Sequence, residues 1–371
     1  MPQLGLVRGW FDYGVSMALP SVLLHDHLDG GLRPSTIIEL AEESGYTDLP
    51  AGTEPELVQW FDQSESGSLE NYLEAFAHTI ALMQRATALE RIAYEAVVDL
   101  AADGVVYAEI RFCPGLFTTR GMTTFEVVET ISSGIRMGER ETGSTVRLIV
   151  TALRQRDNSL TLARSAINSG QSGVVGFDLA GPEAGNPPTD HLDAFRLIRE
   201  SGLRLTVHAG EAGGSNGVGY IAAAMDTCGA ERLGHGLEII NDCMVEDDEI
   251  VKLGRVASRV LDRQVPLEMC PASNIATNRL DPRDHPFGML HRAGFNVTLN
   301  TDNRLMSNTS MSDEFAFATE HHGLDITDLA LITKRSLAAA FCTYDEKLAI
   351  WEAIAARYRA AGVDVSERWR S

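Results

Sequence analysis

The chain has no closely spaced cysteine pair, no excess of positive charge and no long hydrophobic run, and each absence removes a class of function. Its five cysteines (Cys113, Cys228, Cys243, Cys270, Cys342) are odd in number, far apart and free of any C-x-x-C spacing. That excludes a disulfide framework and a thiolate zinc site, and it points to a reducing, cytoplasmic setting. With 52 acidic against 31 basic residues, a formal charge of -21 would repel DNA or RNA over most of the surface. A neutral or cationic small molecule fits that field better. No window is long and apolar enough to span a bilayer. The first twenty residues contain Arg8 but no uninterrupted apolar stretch leading to a small-residue cleavage site, so no secretory signal is expected. Met17 is a second candidate start beside Met1, because nothing before Leu19 carries a usable pattern. In a chain without a signal, the sequons at Asn296 and Asn308 read as chance.

What is present is an ordinary globular composition, 44% hydrophobic and 22% charged, with no low-complexity tract and no solenoid repeat. At about 150 residues per domain, 371 residues would suggest two or three domains, but α/β barrels run to more than about 400 residues as one unit. The stretch Leu23-Leu24-His25-Asp26-His27-Leu28-Asp29-Gly30 organises the rest. If Val22 to His27 is a strand, its two-residue period puts His25 and His27 on one face, where two imidazoles can reach one metal. On its own a His-x-His pair is more often a surface or hydrogen-bonded core feature.

After Gly30 the period is helical. Leu69, Tyr72, Leu73, Phe76, Ile80 and Met83 share one face, and Leu89, Ile92, Ala93, Ala96, Val97 and Leu100 another, which predicts about four helices in an insertion over residues 34–103. Leu57, Val58, Trp60 and Phe61 read as core packing, with a lid over a pocket as the alternative. From Gly104 onward, short β-branched runs alternate with helical patterns. The runs are Val105 to Phe112, Val146 to Thr151, Gly173 to Asp178, Leu203 to His208, Arg232 to His235, Pro266 to Met269 and Phe295 to Asn300. Helices are predicted at Phe125 to Arg140, Leu160 to Asn168, Leu192 to Glu200, Ile250 to Leu261 and Phe287 to Arg292. With the first strand that makes eight parallel βαβ units, the number that closes a (β/α)8 TIM barrel. The C-terminal pattern of Leu348, Trp351, Ile354 and Tyr358 adds extra helices to its outer layer, and the whole of residues 1–371 is expected to form a single domain.

Barrel active sites lie at the C-terminal ends of the strands, so chemically useful residues should end these runs. They do: His25 and His27, Asp178, His208 with Glu211 just beyond, His235, Glu268, and then Thr301-Asp302-Asn303. Any one of them could be a helix cap; their joint placement at one barrel mouth points to a metal site. Imidazoles and a carboxylate suit zinc first, then iron, manganese or cobalt. The economical ligand set is His25, His27, His208 and Asp302, leaving one position for water whose pKa would fall to about 7. His235 is left to orient that water or move its proton, and Glu211 to act on the substrate. Phe177-Asp178-Leu179 offers no lysine to bridge a second ion, so one metal is expected.

Six stretches in this order resemble the adenosine/AMP deaminase family of the metal-dependent amidohydrolase superfamily, over about Leu19 to Tyr358. They are Leu24 to Gly30, Gly176-Phe177-Asp178-Leu179-Ala180-Gly181, Val207-His208-Ala209-Gly210-Glu211, Arg232-Leu233-Gly234-His235-Gly236, Pro266-Leu267-Glu268-Met269-Cys270-Pro271 and Asn300-Thr301-Asp302. The resemblance implies hydrolytic removal of the 6-amino group of adenosine, and of 2'-deoxyadenosine, to give inosine and ammonia, with one zinc per subunit. It implies that His25, His27, His208 and Asp302 are ligands, that Glu211 protonates purine N1, and that His235 activates the attacking water and stabilises developing charge at C6. It further implies that Asp29 binds the ribose 5'-hydroxyl, that the Gly181 backbone N–H approaches N3, and that Glu268, like Asp178, supports the ligands from behind. With His27 bordering the same pocket, these residues would form the nucleoside site. Burial is expected to raise the pKa of Glu211 so that it holds a proton. The zinc cytidine deaminases use paired cysteines, which this chain lacks.

One position departs from the family pattern. Asn303 stands where many members carry a second aspartate, which must be protonated to donate to purine N7; an amide donates without a proton. Adenine recognition is expected to survive, with room for another 6-aminopurine: aminodeoxyfutalosine, free adenine or N6-methyl-AMP. Asp29 speaks against the last two, since a carboxylate aimed at ribose needs a ribose and repels a 5'-phosphate. Two other classes compete: a metal-dependent amide or ester hydrolase, which has no use for Glu211, and a non-catalytic nucleoside-binding protein, which would lack ligands or acid. His78, His191, His285, His291, His321 and His322 lie off the strand tips and read as structural or exposed. Oligomeric state leaves no mark in the sequence.

Overall fold

Strand β1 (Ser21–His27) is followed by β2 (Val105–Phe112), β3 (Thr145–Leu153), β4 (Val174–Ala180), β5 (Arg204–Ala209) and β6 (Arg232–His235). A separate hairpin of β7 (Cys243–Glu246) and β8 (Glu249–Leu253) intervenes before β9 (Leu267–Met269) and β10 (Val297–Leu299). The chain is known here from a computed structural model that describes residues 18–212 and 214–365; Met1 and Met17, the two candidate starts, lie outside the described residues. Eight strands form one parallel sheet in the order β1-β2-β3-β4-β5-β6-β9-β10. All eight expected runs are strands, with ends moved by no more than two residues. Their apolar and β-branched residues are buried on both faces, the pattern of strands enclosed by helices.

The sheet closes into a (β/α)8 barrel where β1 meets the chain just beyond β10. Asp26 bridges Asp302 in parallel register, the His27 N–H donates to the Asp302 carbonyl at 2.7 Å, and the Asp302 N–H donates to the His25 carbonyl at 2.9 Å. The seam is therefore made by the residues of greatest chemical interest. On the outer side, Asp26 accepts from Thr301 Oγ1 at 2.8 Å and Arg304 Nε at 3.0 Å, which locks the register of the seam.

Between β1 and β2 lie five helices: α1 (Pro34–Ser44), α2 (Glu54–Phe61), α3 (Leu69–Glu74), α4 (Phe76–Leu82) and α5 (Ala86–Ala102). The run expected as one face from Leu69 to Met83 is two short helices that meet at Ala75, whose torsions stay right-handed helical (φ −62°, ψ −27°). Leu57 and Phe61 are buried core while Val58 and Trp60 are exposed, so α2 packs and the cavity is covered by α3 and α4 instead. The barrel helices expected near Phe125, Leu160, Leu192 and Phe287 are present at Thr124–Thr142, Ser159–Asn168, Leu192–Ser201 and Phe287–Arg292.

The helix predicted over Ile250 to Leu261 is wrong in its first half. Ile250 lies in strand β8, and the helix runs only over Arg255–Asp262. Asp247 and Asp248 both take positive φ (49° and 59°) between paired Glu246 and Glu249. That is the two-residue turn whose twist suits a hairpin, and it competes successfully with the helical period. At the C-terminus, Met311–His322, Ile326–Ala339 and Tyr344–Ala360 form the extra helices. Trp351, Ile354 and Tyr358 are buried there with Val22 and Leu24 of β1, which fixes the back of the strand that carries His25.

Candidate metal and active site

The strand tips converge. His25 and His27 of β1, His208 of β5 and Asp302 beyond β10 offer ligand atoms that all lie within 4.8 Å of one another. Asp302 Oδ1 is 3.2 Å from His25 Nε2 and 3.4 Å from His27 Nε2, and the Nε2 atoms of His27 and His208 are 3.3 Å apart. His25 Nε2 is buried without a hydrogen-bond partner. An orphaned imidazole nitrogen facing two more nitrogens and a carboxylate oxygen is the donor arrangement that fits a divalent cation such as zinc.

On two of the three imidazoles the opposite ring nitrogen is held by a carboxylate. His25 Nδ1 is 3.0 Å from Glu268 Oε2, and His208 Nδ1 is 3.1 Å from Asp178 Oδ1. A carboxylate on Nδ1 fixes the proton there and turns the Nε2 lone pair toward the centre. One guanidinium holds both carboxylates: Arg111 donates to Asp178 Oδ2 at 3.1 Å and to Glu268 Oε2 at 2.7 Å. Glu268 also accepts from Arg232 Nε at 2.6 Å and Thr206 Oγ1 at 2.9 Å, and all these groups are buried. Burial opposes ionisation of Glu268, but Arg111 and Arg232 hold its carboxyl well below the usual range. Asp178 is likewise lowered against burial, by His208 and Arg111. Burial pushes His27 and His208 down, keeping them neutral as ligands must be. On Asp302, burial is outweighed by the close approach of His25 and the field of His235. Its other oxygen accepts from Ser273 Oγ at 2.6 Å.

A second grouping, His25, His235, Cys270 and Asp302, also falls within ligand range. Cys270 argues against it: its thiol is buried and donates to the Glu268 carbonyl at 3.4 Å, so the sulfur is already engaged.

Three of the four donors, His27, His208 and Asp302, border a cavity of about 240 Å³ that is lined also by Asp29, Gly181, Glu211, His235 and Asn303 and by the apolar Leu69, Tyr72, Leu73, Phe76, Ile80, Leu116 and Leu153. All the residues expected to meet a nucleoside are thus in one place. Glu211 is buried, with Oε1 3.6 Å from His235 Nε2. Burial first, then the charges of Asp302 and Glu183, raises its pKa well above the ordinary carboxyl value, as the sequence predicted. Asp29 is raised to about 7 by burial and by neighbouring Asp302 and Asp26. Gly181 takes φ 98°, and a Cβ there would stand 2.5 Å from Gln155 Oε1, so a bare backbone is required beside the cavity. Asn303 is held against Gly30, where a Cβ would meet Asn303 Oδ1 at 2.2 Å. His235 and Asp302 both adopt positive φ (59° and 57°), backbone strain of about 1–3 kcal/mol each that typically marks a functional site.

Several contributors escaped the sequence reading. Arg111 and Arg232 are interior strand arginines, and a charge inside an otherwise apolar run was the available signal that partners are buried with it. Glu183 accepts from three successive backbone amides, Gly210 at 2.7 Å, Glu211 at 2.9 Å and Ala212 at 3.0 Å, clamping the loop that carries Glu211. Ser273 and Asn274 open the helix Pro271–Asn278 directly after the Pro266 to Pro271 stretch; Asn274 Nδ2 lies 3.0 Å from His235 Nδ1.

Comparison with known proteins places this geometry. The family described as adenosine deaminase matches residues 20–357. An adenosine deaminase of Mycobacterium ulcerans is 49% identical over 94% of this chain and 95% of its own. Among solved structures, an adenine deaminase from Arthrobacter aurescens aligns over 92% of this chain and all of its own with TM-score 0.81 and 26% identity. An amidohydrolase from Burkhoderia ambifaria with bound Zn covers 93% and 92% with TM-score 0.80 and 25% identity. Because the match runs through every strand tip that carries a converging donor, it is kinship and more than a shared barrel: the chain belongs to the adenosine deaminase family.

Proposed function

We propose that this protein deaminates adenosine hydrolytically to inosine and ammonia, and accepts 2'-deoxyadenosine, using one zinc ion per chain held by His25, His27, His208 and Asp302. Zinc in such a site supplies Lewis acidity that brings the pKa of water to about 7, making hydroxide available at neutral pH. The chain's own residues do the rest. The protonated carboxyl of Glu211 donates to purine N1, which draws electron density from C6 and opens it to attack. His235 faces the same carbon, orients the attacking oxygen and stabilises the charge that builds as the C6–O bond forms and the C6–N bond breaks. Each of these aids is worth an amount on the order of 2 to 5 kcal/mol. Asp29 receives the ribose 5'-hydroxyl, the Gly181 N–H approaches N3 and the Asn303 amide donates to N7. Glu268 and Asp178 keep the ligand imidazoles in the required tautomer.

The observation that carries this reading is Glu211, a buried acid with raised pKa in the same cavity as the metal donors. An amide or ester hydrolase has no ring nitrogen to protonate and no need of it. The five free cysteines suit a reducing compartment such as the cytoplasm. No helix among the described residues is long and apolar enough to cross a membrane. The test is the ultraviolet change on conversion of adenosine to inosine across a panel of 6-aminopurines, with Glu211→Ala as control. Preferential turnover of adenosine that collapses in the variant is expected; undiminished turnover in the variant, or preference for free adenine, overturns the reading.

A further inference from the structure

A chain of hydrogen bonds behind His235 starts at a backbone group and therefore has a fixed direction. The Phe287 N–H, at the start of helix Phe287–Arg292, donates to His285 Nδ1 at 3.2 Å. A main-chain N–H can only donate, so His285 Nδ1 must carry a lone pair. His285 is buried and burial lowers its pKa to about 3, so at neutral pH its single proton is on Nε2. That nitrogen is 3.3 Å from Asn274 Oδ1, which as an acceptor turns the Asn274 amide so that Nδ2 faces His235 Nδ1 at 3.0 Å. An amide Nδ2 can only donate. His235 Nδ1 must then hold a lone pair too, and an imidazolium, with a proton on both nitrogens, would set donor against donor.

We infer that Asn274 and His285 are positioning residues which fix His235 as the neutral tautomer with its proton on Nε2. That nitrogen is buried, has no hydrogen-bond partner and is aimed at the site, 3.6 Å from Glu211 Oε1. Facing the reacting carbon, His235 is then a hydrogen-bond donor. It stabilises negative charge on the incoming oxygen and does not abstract a proton from it, since its one free lone pair points away from the substrate and is already engaged. The role at C6 rests on the deaminase reading above; the tautomer does not, because it follows from contacts outside the substrate cavity.

The test is ring 15N–1H correlation spectroscopy on the zinc-loaded protein labelled at histidine, with the His235 signals assigned by their loss in His235→Gln. The expected result is a protonated Nε2 and an unprotonated Nδ1 for His235. Asn274→Asp places a carboxylate, which can only accept, against Nδ1; it should transfer the His235 proton to Nδ1 and lower kcat by about 100-fold, the scale of losing one charge-stabilising donor, with KM within about twofold. His285→Gln keeps an N–H for Asn274 Oδ1 and should preserve tautomer and rate, whereas His285→Phe should give mixed tautomers and a lower kcat at unchanged zinc content. A wild-type His235 protonated on Nδ1 overturns the inference, and so does an Asn274→Asp protein that keeps both the tautomer and the rate. If the spectra match and adenosine is not turned over, the functional reading fails and the tautomer stands.

Discussion

In the mechanism we propose, Glu211 serves as an acid only while it holds a proton, and its surroundings decide how long it does. Burial comes first, with Asp302 and Glu183 adding to it, and all three raise its pKa. If the protonated form is the one that donates to the purine, as proposed, kcat should fall as pH rises through that raised value. Glu211→Gln should lose about 10²–10⁴ in kcat and its residual rate should lack that alkaline fall, a comparison read from kcat–pH profiles of the two proteins. A second buried acid acts on stability instead. Glu314 accepts from Thr309 Oγ1 at 2.9 Å, leaves Oε2 without a partner and is raised by burial from 4.5 to about 8. Below its unfolded pKa it is neutral in both states and costs nothing. As pH rises toward its folded pKa only the unfolded state ionises freely, so the folded protein loses about 1.4 kcal/mol per pH unit across that window, a few kcal/mol in all. Glu314→Gln should therefore match the parent near pH 4.5 and exceed it above about pH 8 in urea-denaturation midpoint; equal midpoints at the alkaline end would contradict this.

Among elements, the loop after β5 matters most, because it must hold Glu211 in place while β5 itself holds His208. Glu183 does this from the loop after β4 by gathering the amides of Gly210, Glu211 and Ala212, and Asn278 Nδ2 adds a hydrogen bond to the Glu211 carbonyl at 3.1 Å. Glu183→Ala strands two buried donors, at about 1–3 kcal/mol each, and the half-buried Ala212 N–H, so it should lower both thermal stability and kcat while leaving zinc content unchanged. Loss of zinc would show instead that the clamp serves His208. The support behind the ligands has its own test. Asp178→Ala removes the acceptor from His208 Nδ1 and should weaken zinc affinity about 10–100-fold, measured by competition with a chelator.

At the scale of the whole molecule, the barrel and its mouth were readable because parallel strands repeat one pattern and end in the residues that matter. His25, Asp178, His208, His235 and Asp302 could be grouped without coordinates once the strands were counted. The hairpin at Cys243–Leu253 was hidden because Ile250 and Leu253 fit a helical face as well as a strand, and two aspartates at positive φ settled it through turn geometry. Arg111 could be seen as unusual, but which carboxylates it joins depends on barrel closure. His285 is 50 positions from His235 in sequence, and only its hydrogen bond to Asn274 in helix Pro271–Asn278 brings it into line. The central claim is that a ring of strand ends gathers four donors around one cation. It is tested most directly by anomalous scattering at the zinc edge from crystals of the metal-loaded protein. One peak per chain, within bonding distance of His25 Nε2, His27 Nε2, His208 Nε2 and Asp302 Oδ1, is the predicted result; two peaks, or one bonded to Cys270, would contradict it.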